Sequence, residues 1–439
     1  MSNATIRDEF RTPCSPEGLQ VIEISSDSTR DSTAFYLDCS SWSNDSRLLA
    51  FRREASDDGS KPAGLWICDT ENDFAVEPIV EYHEGRDAEH NVRNNSAPVP
   101  GQSYDSILAP DGKAVYHLIR IADTVEVRKI DIANRKTEVI ATAPAPLLSR
   151  GHHSISADGK RLCMGNFLGN GKTEGAPWGA YIFDLDSGEH QVIEFGNGFR
   201  NMHCAYSPDP SPEASHDLLV GGTSGLLSDG SWLTPPDGSW RWENMPPDEG
   251  LGSSILVVRD DGTNWRMLPI GRKKSRFTCH NIWRGSAGSI VAQRYDHAPG
   301  LWRSPFLEAS PIPVHSEEDK WLGETHPDAH PVDITRKLAR ADGCHFGFDK
   351  SGKHFVSDSD GYCTPECSFL YVGTYHESST EDPFVSTRYL ALPRTSWKTQ
   401  ESHPHAFLSP DGRRVVFQSD FTGRPQVYVA YNFDYPADI

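Results

Sequence analysis

The chain alternates between short runs rich in apolar residues and tight polar turns. A representative stretch is HAFLSPDGRRVVFQS, from His405, in which two apolar runs flank the turn Ser409-Pro410-Asp411-Gly412. An Asp-Gly turn between two strand-like runs is typical of a β-hairpin, because glycine adopts the positive φ that such turns require. The pattern therefore predicts many short antiparallel strands rather than long helices.

This hairpin recurs seven times along the sequence. The copies begin at Cys39, Asp105, His152, His203, His280, His345 and His405. Between them lie further strand-like runs, such as SILVVRDDGTNWRMLPI, that fit a third and a fourth strand. A four-stranded unit of roughly 60 residues is the pattern of a β-propeller blade. We therefore predict an all-β fold, a seven-bladed β-propeller of four-stranded blades, forming a single domain over residues 1–439.

One strand-like segment stands outside the seven hairpins. The segment LQVIEISS, residues 19–26, matches the pattern of a fourth strand but precedes the first hairpin. Pairing with the last hairpin would close the ring and cover two sheet edges that would otherwise be exposed. We predict that residues 19–26 form the outer strand of the blade that ends the chain.

The composition supports a strand-rich protein. The chain is 37% hydrophobic and 10% aromatic, with 36 Gly and 31 Pro, which suits short strands joined by turns. It contains no apolar stretch of about 18 residues, the length that a membrane-spanning helix needs. The first residues, MSNATIRDEFRTPCSPEG, lack the basic start and apolar run of a secretory signal. We therefore expect a cytoplasmic protein without a membrane partner.

The charge of the chain limits its partners. A net charge of −20 argues against binding nucleic acid over a broad surface. It does not exclude an acidic substrate, because nearby cations dominate over distant charges that are screened by salt.

The nine cysteines are scattered, and several fall inside strand-like runs. An odd, dispersed set favours buried reduced thiols over a disulfide framework. Cys363 and Cys367 are the one close pair, where a disulfide or half of a zinc site is the alternative. Because no second pair completes a set of four zinc ligands, we favour free thiols.

Aligning the seven hairpins places histidine at five of seven equivalent positions. The column consists of Cys39, Asp105, His152, His203, His280, His345 and His405. The first strand of each propeller blade lines the central channel, so these positions are expected to form a ring at one channel mouth. One such histidine alone would be explained as a structural residue bonded to a backbone carbonyl. The set instead predicts a metal site or a catalytic site with several proton-transfer groups.

The last blade offers the best candidate metal ligands. Gln400 and His403 lie in the loop that leads to His405, and His345 occupies the same column in the adjacent blade. Imidazoles with one amide oxygen suit a borderline divalent ion such as Mn²⁺, with Zn²⁺, Ni²⁺ and Fe²⁺ as alternatives. The lack of cysteine in this set argues against a closed structural zinc site. Open coordination positions would accept a substrate carboxylate.

Several stretches resemble one enzyme family. TSW, QESHPHAF and VVFQSDFTGRPQVYVA resemble the C-terminal blade of the oligogalacturonate lyases, pectin-degrading polysaccharide lyases built on a seven-bladed propeller. CHNIW, CHFGFDKSGKHFVSD, MHCAYSP and PEGLQVIEIS resemble further segments of that family. The resemblance implies that Gln400, His403, His405 and His345 bind manganese. It also implies that His280 is the base of a β-elimination that yields a 4,5-unsaturated uronate.

The remaining roles rest on the chemistry of an acidic oligosaccharide substrate. The leaving oxygen needs an acid, for which His203, His152 and Tyr104 are candidates. The family's active-site arginine has no counterpart in DEGLGSSILVVRDDG, and Arg200 is the candidate replacement as a carboxylate clamp. We therefore assign His280 and His203 to catalysis, and His152, Arg200 and Tyr104 to substrate binding.

Other functions fit parts of the pattern. A lyase of the same type could act on ulvan or on rhamnosyl-glucuronate ends. A non-enzymatic TolB-like or WD-type propeller would be a binding platform, although such scaffolds have no need of the histidine column. A metal-dependent hydrolase or lactonase is a further alternative, but those propeller sites use mainly Asp, Glu and Asn. A prolyl-peptidase is disfavoured, because the chain has no Gly-x-Ser-x-Gly elbow.

Overall fold

The structure is an all-β ring of seven blades. This computed structural model describes residues 4–36, 40–82, 103–146, 151–168, 178–196, 199–224, 254–271, 276–298, 301–339, 341, 343–359 and 368–437. Its strands form antiparallel units that we number blades 1 to 7 in the order of their first strands. The seven-bladed propeller predicted from the hairpin repeat is confirmed.

Blades 1 to 3 each contain four consecutive antiparallel strands. Blade 1 consists of Ser32–Ala34, Leu48–Arg53, Ala63–Asp69 and Ala75–Tyr82. Blade 2 consists of Ser103–Leu108, Ala114–Ile121, Thr124–Asp131 and Thr137–Pro144. Blade 3 consists of Gly151–Ile155, Arg161–Phe167, Trp178–Asp184 and His190–Gly196. The order of strands in each sheet follows the order in the sequence, as the repeat predicts.

Blades 4 to 6 keep the same order, and blades 4 and 5 carry small additions. Blade 4 consists of Phe199–Tyr206, Asp217–Ser224, Ser254–Arg259 and Arg266–Met267, with Ile312–Pro313 added at its rim. Blade 5 consists of Arg276–Trp283, Ile290–Ala298, Phe306–Ala309 and Val332–Asp333, with Leu301–Arg303 also paired to its second strand. Blade 6 consists of Gly343–Phe348, His354–Ser359, Leu370–His376 and Phe384–Ala391. The first strands of blades 3 and 4 also pair in parallel, with His152 opposite His203.

Blade 7 combines strands from both ends of the sequence. Its strands are Phe407–Leu408, Arg414–Ser419, Gln426–Tyr431, Gln20–Glu23 and Thr5–Ile6. Val21 pairs with Ala430 and Ile22 with Val429 in an antiparallel ladder. The predicted ring closure by a strand within residues 19–26 is confirmed, but this strand is not the outermost one, because Thr5–Ile6 pairs outside it.

Within the described part of the chain, seven clusters of buried apolar side chains hold the ring together, and each lies between two adjacent blades. The cluster between blades 7 and 1, for example, joins Val427 to Trp42 and Phe51. The cluster between blades 6 and 7 joins Leu370 to Phe417. Because these interblade clusters supply the hydrophobic stabilisation, the polar side chains at the channel mouth are not needed to hold the blades together.

The repeated turn sets the register of the inner hairpin in each blade. In blade 7, Gly412 has φ 71° and its N–H donates to the Ser409 carbonyl at 2.9 Å. The Ser409 hydroxyl donates to Asp411 Oδ1 at 2.6 Å, which fixes the turn. Positive φ recurs at the equivalent glycines, Gly112, Gly159 and Gly352. Residues at a fixed distance before the turn therefore come to equivalent places around the channel.

The turns surround the mouth of the channel opposite the histidine column. A cavity of about 230 Å³ lies there, lined by residues from all seven blades. Trp42, Trp283, Phe348 and Phe407 contribute its aromatic lining, and Pro410 marks the turn of blade 7. The column residues precede these turns, which places them towards the other mouth.

Helical structure in the described ranges consists of short 3-10 turns. They are Asp8–Phe10, Gly285–Ala287, Asp319–Trp321, Gly323–Thr325 and Gln400–Ser402. None of the described helices has the length and apolar character needed to cross a membrane.

The described cysteines Cys14, Cys68, Cys163, Cys204 and Cys344 are free thiols, as predicted for scattered cysteines. Cys363 and Cys367 lie outside the described residues, so the nature of that pair stays a prediction.

One buried histidine makes the fold sensitive to acid. Burial, with a smaller effect from the charge of Arg128, lowers the pKa of His117 to about 3, and its Nδ1 lies 2.9 Å from the Ser106 hydroxyl. The unfolded chain takes up a proton at this residue near its ordinary pKa of about 6.5. Between these two pKa values the unfolded state binds the proton and the folded state does not. The free energy of unfolding is therefore highest above the unfolded pKa and decreases as the pH falls.

We expect His117 to lower the free energy of unfolding by up to about 1.4 kcal/mol for each pH unit between those limits. Urea denaturation from neutral to acidic pH will measure this slope. The His117→Gln variant should show a shallower slope than the wild-type protein. Identical slopes would contradict the assignment.

Candidate functional site

Three buried imidazoles meet at one mouth of the channel. His345 lies on the first strand of blade 6, and His403 and His405 lie in the loop before the first strand of blade 7. One ligand atom from each lies within 4.8 Å of the others. The ring centroids of His345 and His405 are 4.2 Å apart, and that of His403 is 5.5 Å from His405. Such spacing allows all three nitrogens to face a single ion.

Gln400 reaches the same point. It opens a 3-10 turn, Gln400–Ser402, which is fixed by reciprocal hydrogen bonds between Thr399 and Ser402. The Gln400 amide nitrogen lies 2.9 Å from Nε2 of His405. A half-turn of the amide would present its oxygen at that place instead. The structure therefore brings together all four residues predicted as metal ligands, while their binding of a metal stays a proposal.

The backbone around these candidate ligands is strained. His405 has φ 44° and Trp397 has φ 57°, both in the left-handed region that favours glycine. Such a conformation costs about 1–3 kcal/mol and persists only when surrounding contacts enforce it. The Trp397 ring lies 4.6 Å from that of His403 and 6.0 Å from that of His345. Trp397 therefore supports two of the three imidazoles.

A buried carboxylate orients His345. Asp358 Oδ1 accepts a hydrogen bond from the His345 backbone N–H at 2.7 Å, and Asp358 Oδ2 lies 2.8 Å from Nδ1 of the ring. Burial raises the pKa of Asp358 to about 7. Burial, together with the charges of His280 and His203, lowers the pKa of His345. The imidazole is therefore neutral, and its Nε2 is the nitrogen available to an ion.

His280 lies beside this cluster, as its column position predicted. It is half-buried on the first strand of blade 5, and its ring centroid is 4.5 Å from that of His345. His280 Nδ1 lies 3.0 Å from Gln293 Oε1. His280, Cys344 and His345 form a second group of donors whose ligand atoms lie within 4.8 Å of one another. The geometry thus suits His280 as a base and also offers it as a ligand, and its role stays a prediction.

Tyr36 extends from blade 1 across the channel mouth. Its ring centroid is 4.9 Å from that of His405, 6.5 Å from that of His345 and 5.6 Å from that of His203. His203 is half-buried on the first strand of blade 4. Tyr36 therefore links this histidine to the cluster formed by blades 6 and 7.

Three predicted substrate-binding residues cannot be placed in the same way. The side chains of Tyr104, His152 and Arg200 lie outside the described part of the chain. The same holds for Cys39 and for the side chain of Asp105. The roles assigned to Tyr104, His152 and Arg200 therefore stay predictions.

Several residues of the site do not follow from the histidine column of the sequence. Tyr36 and Trp397 contact the histidines, although the column alignment selects neither of them. Gln293, Asp358 and Gln418 each bond a column histidine that precedes them by 13 residues. A second alignment column, taken on the second strand of each hairpin, would have identified these three.

The fold and the site define a class of protein. The chain is a seven-bladed β-propeller whose channel mouth carries a cluster of histidines with the spacing of metal ligands. No protein-family profile matches the chain.

Within that class, the chain resembles the oligogalacturonate lyases, as its motifs predicted. It is 26% identical over 228 residues to oligogalacturonate lyase from Dickeya dadantii, a match that covers 49% of this chain and 53% of that protein. Oligogalacturonide lyase from Pectobacterium atrosepticum matches to the same extent. The chain thus spans about half the length of the curated relatives it matches.

The fold similarity extends over nearly the whole chain. The structure of an oligogalacturonate lyase in complex with manganese superposes with a TM-score of 0.64 at 18% identity, covering 98% of this chain and 96% of that one. Oligogalacturonate lyase from Vibrio parahaemolyticus gives a TM-score of 0.63 at 14% identity, with the same coverage. At these identities the two structures establish the shared fold.

Proposed function

We propose that this chain is a polysaccharide lyase that cleaves uronate-containing oligosaccharides by β-elimination. The observation that carries the proposal is the buried cluster of His345, His403 and His405, with His280 beside it. Burial of a histidine side chain stabilises a core less than burial of an apolar side chain does. A chemical role therefore accounts for these buried imidazoles better than packing does. The sequence similarity to oligogalacturonate lyases supports the same reaction class.

The donor set fits a divalent metal. Three imidazoles and one amide suit Mn²⁺, Zn²⁺, Ni²⁺ or Fe²⁺, and we favour Mn²⁺ because the similar lyase structure is a manganese complex. We assign the site to His345, Gln400, His403 and His405. A bound ion would supply positive charge that stabilises the substrate carboxylate as negative charge develops on it.

The residues around the donor set provide the proton transfers. We assign to His280 the removal of the proton on C5 of the uronate. The electron pair of that C–H bond forms the C4–C5 double bond while the bond between C4 and the leaving oxygen breaks. A neutral imidazole is suited to this step, since its ordinary pKa of about 6.5 lies close to neutral pH.

The leaving oxygen must gain a proton to complete the reaction. We assign this step to His203, which lies across the channel mouth from blades 6 and 7 and contacts Tyr36. Arg200, His152 and Tyr104 are proposed to bind the acidic oligosaccharide, with Arg200 pairing a second carboxylate. Oligogalacturonate is the proposed substrate, and ulvan or rhamnosyl-glucuronate oligosaccharides are the alternatives.

A panel of uronate oligosaccharides tests the proposed function. Purified protein loaded with Mn²⁺ should convert oligogalacturonates to a 4,5-unsaturated product, which is detected by its ultraviolet absorbance and by mass spectrometry. A chelator should stop the reaction, and added Mn²⁺ should restore it. Turnover of only ulvan or rhamnosyl-glucuronate would change the substrate assignment. Failure to form an unsaturated product from any member of the panel would overturn the proposal in favour of a binding platform.

A further inference from the structure

A second set of buried polar side chains stands behind the histidines. His280 Nδ1 is bonded to Gln293 at 3.0 Å, and His345 Nδ1 is bonded to Asp358 at 2.8 Å. In blade 7, His405 Nδ1 lies 3.1 Å from the amide of Gln418. Each partner lies on the second strand of the same blade, next to the strand or loop that carries its histidine.

These partners are buried as deeply as core residues. Gln293 and Asp358 are fully buried, and Gln418 is 4% exposed. Burying an amide or a carboxyl group costs free energy unless its hydrogen bonds are satisfied, so packing alone would favour an apolar residue at these positions. A role in orienting the imidazoles accounts for their polarity, because the hydrogen bond at one ring nitrogen fixes which nitrogen carries the proton.

The contacts of Gln293 determine its orientation. The Gln293 side-chain nitrogen donates to the carbonyl of Gly343, in blade 6. A carbonyl oxygen can only accept a hydrogen bond, so the amide nitrogen must point towards Gly343 and Oε1 towards His280. Oε1 is also only an acceptor, and therefore Nδ1 of His280 must be the protonated nitrogen.

We propose that Gln293 is a positioning residue that holds His280 in the tautomer protonated at Nδ1, so that Nε2 is the nitrogen that accepts the substrate proton. The tautomer itself follows from the two hydrogen bonds of Gln293. Its catalytic consequence rests on the proposed lyase function and on the assignment of His280 as the base.

His280 and its neighbour His345 have hydrogen-bond partners of different chemistry. His345 is backed by a carboxyl group and His280 by an amide. A carboxylate raises the basicity of an imidazole that binds a metal, whereas a neutral amide fixes the ring orientation without adding charge. His405, a proposed ligand, is also backed by an amide, that of Gln418. The partner therefore sets the charge behind each ring but does not by itself separate the ligands from the base.

Two substitutions test the role of Gln293. Gln293→Met keeps much of the side-chain volume but removes both hydrogen bonds. Gln293→Glu keeps an oxygen acceptor facing His280. The tautomer is measured by ¹⁵N NMR of protein labelled at the histidine rings, at a pH where the imidazoles are neutral, and the His280→Gln variant identifies the His280 signals.

The wild-type protein and Gln293→Glu should show the Nδ1-protonated tautomer of His280, and Gln293→Met should show a mixture of tautomers. Turnover of Gln293→Met should fall on the order of 10- to 100-fold with KM nearly unchanged, and Gln293→Glu should retain more activity than Gln293→Met. Gln418→Met, in blade 7, is the matched control and should leave the tautomer of His280 unchanged.

The NMR measurement does not depend on lyase activity. If the wild-type protein is inactive on every uronate, the proposed function fails while the tautomer result stands by itself. If the wild-type protein is active and Gln293→Met keeps both the Nδ1-protonated signal and full turnover, the positioning role of Gln293 is overturned. Equal losses of turnover in Gln293→Met and Gln293→Glu, with the tautomer unchanged in both, would also overturn it and indicate a packing role.

Discussion

Replacing His403 with alanine is expected to abolish binding of the proposed metal and, with it, the proposed lyase activity. His403 contributes one of three imidazoles whose ligand atoms lie within 4.8 Å of one another, and losing it leaves an incomplete donor set. The metal content should fall from about one ion per chain to near zero. The fold should be retained, because the interblade apolar clusters do not include His403. Elemental analysis and circular dichroism will measure the two effects.

Two further variants identify the metal position. His315→Ala, which removes an exposed histidine, should keep wild-type metal content. Cys344→Ser distinguishes the two donor groups that share His345. Loss of metal in Cys344→Ser but not in His403→Ala would move the ion to the group containing His280, Cys344 and His345. Equal metal content in His403→Ala and the wild-type protein would refute the proposed ligand set.

The second large effect is expected for His280→Ala, which should keep its metal and lose on the order of 10² to 10⁴ in turnover. The reason is that His280 lies 4.5 Å from His345 between ring centroids, close enough to reach a sugar whose carboxylate lies at the proposed ion. Substrate binding should change little, because the base interacts with a proton rather than with the carboxylate. Steady-state kinetics of the metal-loaded variant will separate kcat from KM.

Comparison with His203→Ala tests the assignment of the two proton-transfer steps. Near-normal turnover in His280→Ala would exclude His280 as the base and leave His203 and His152 as the candidates. Loss of metal from His280→Ala would instead identify it as a ligand. If the assignment is correct, His203→Ala should lower turnover least for substrates with leaving groups that need no protonation.

The fold could be predicted because its signal is local and repeated. Each tight turn of the repeat, such as that at Asp411-Gly412, fixes a hairpin through hydrogen bonds made within a few residues, and seven such hairpins identify the ring. The closing strand could also be predicted, since Gln20–Glu23 has the apolar pattern of a fourth strand. The hairpin pattern is weak by itself, but its repetition along the chain predicts a specific architecture.

The site could be predicted only where it follows the repeat. His280, His345 and His405 occupy equivalent positions, and the structure places their rings together. Tyr36 escaped prediction because its ring reaches across the channel from blade 1, a direction that local sequence does not encode. Trp397 contacts His403 through a loop with positive φ, which residue type alone does not predict.

The hydrogen-bond partners of the histidines could be predicted from the sequence only in part. Gln293, Asp358 and Gln418 follow the repeat, but their role depends on strand register and on which side chains are buried. The orientation of Gln293 depends in turn on a carbonyl in the next blade. Such contacts between blades are fixed by packing and cannot be deduced from the residues of one hairpin.

The closing strand has a consequence for protein synthesis. Gln20–Glu23 leaves the ribosome long before its partner Gln426–Tyr431, and the hydrogen bond between Ser25 and Gln426 joins residues 401 positions apart. Loop-closure entropy grows only slowly with length, so this separation costs little stability but delays completion of the ring. Until the partner emerges, Val21 and Ile22 lack the strand that buries them, and the nascent chain presents an apolar segment to chaperones and to other nascent chains.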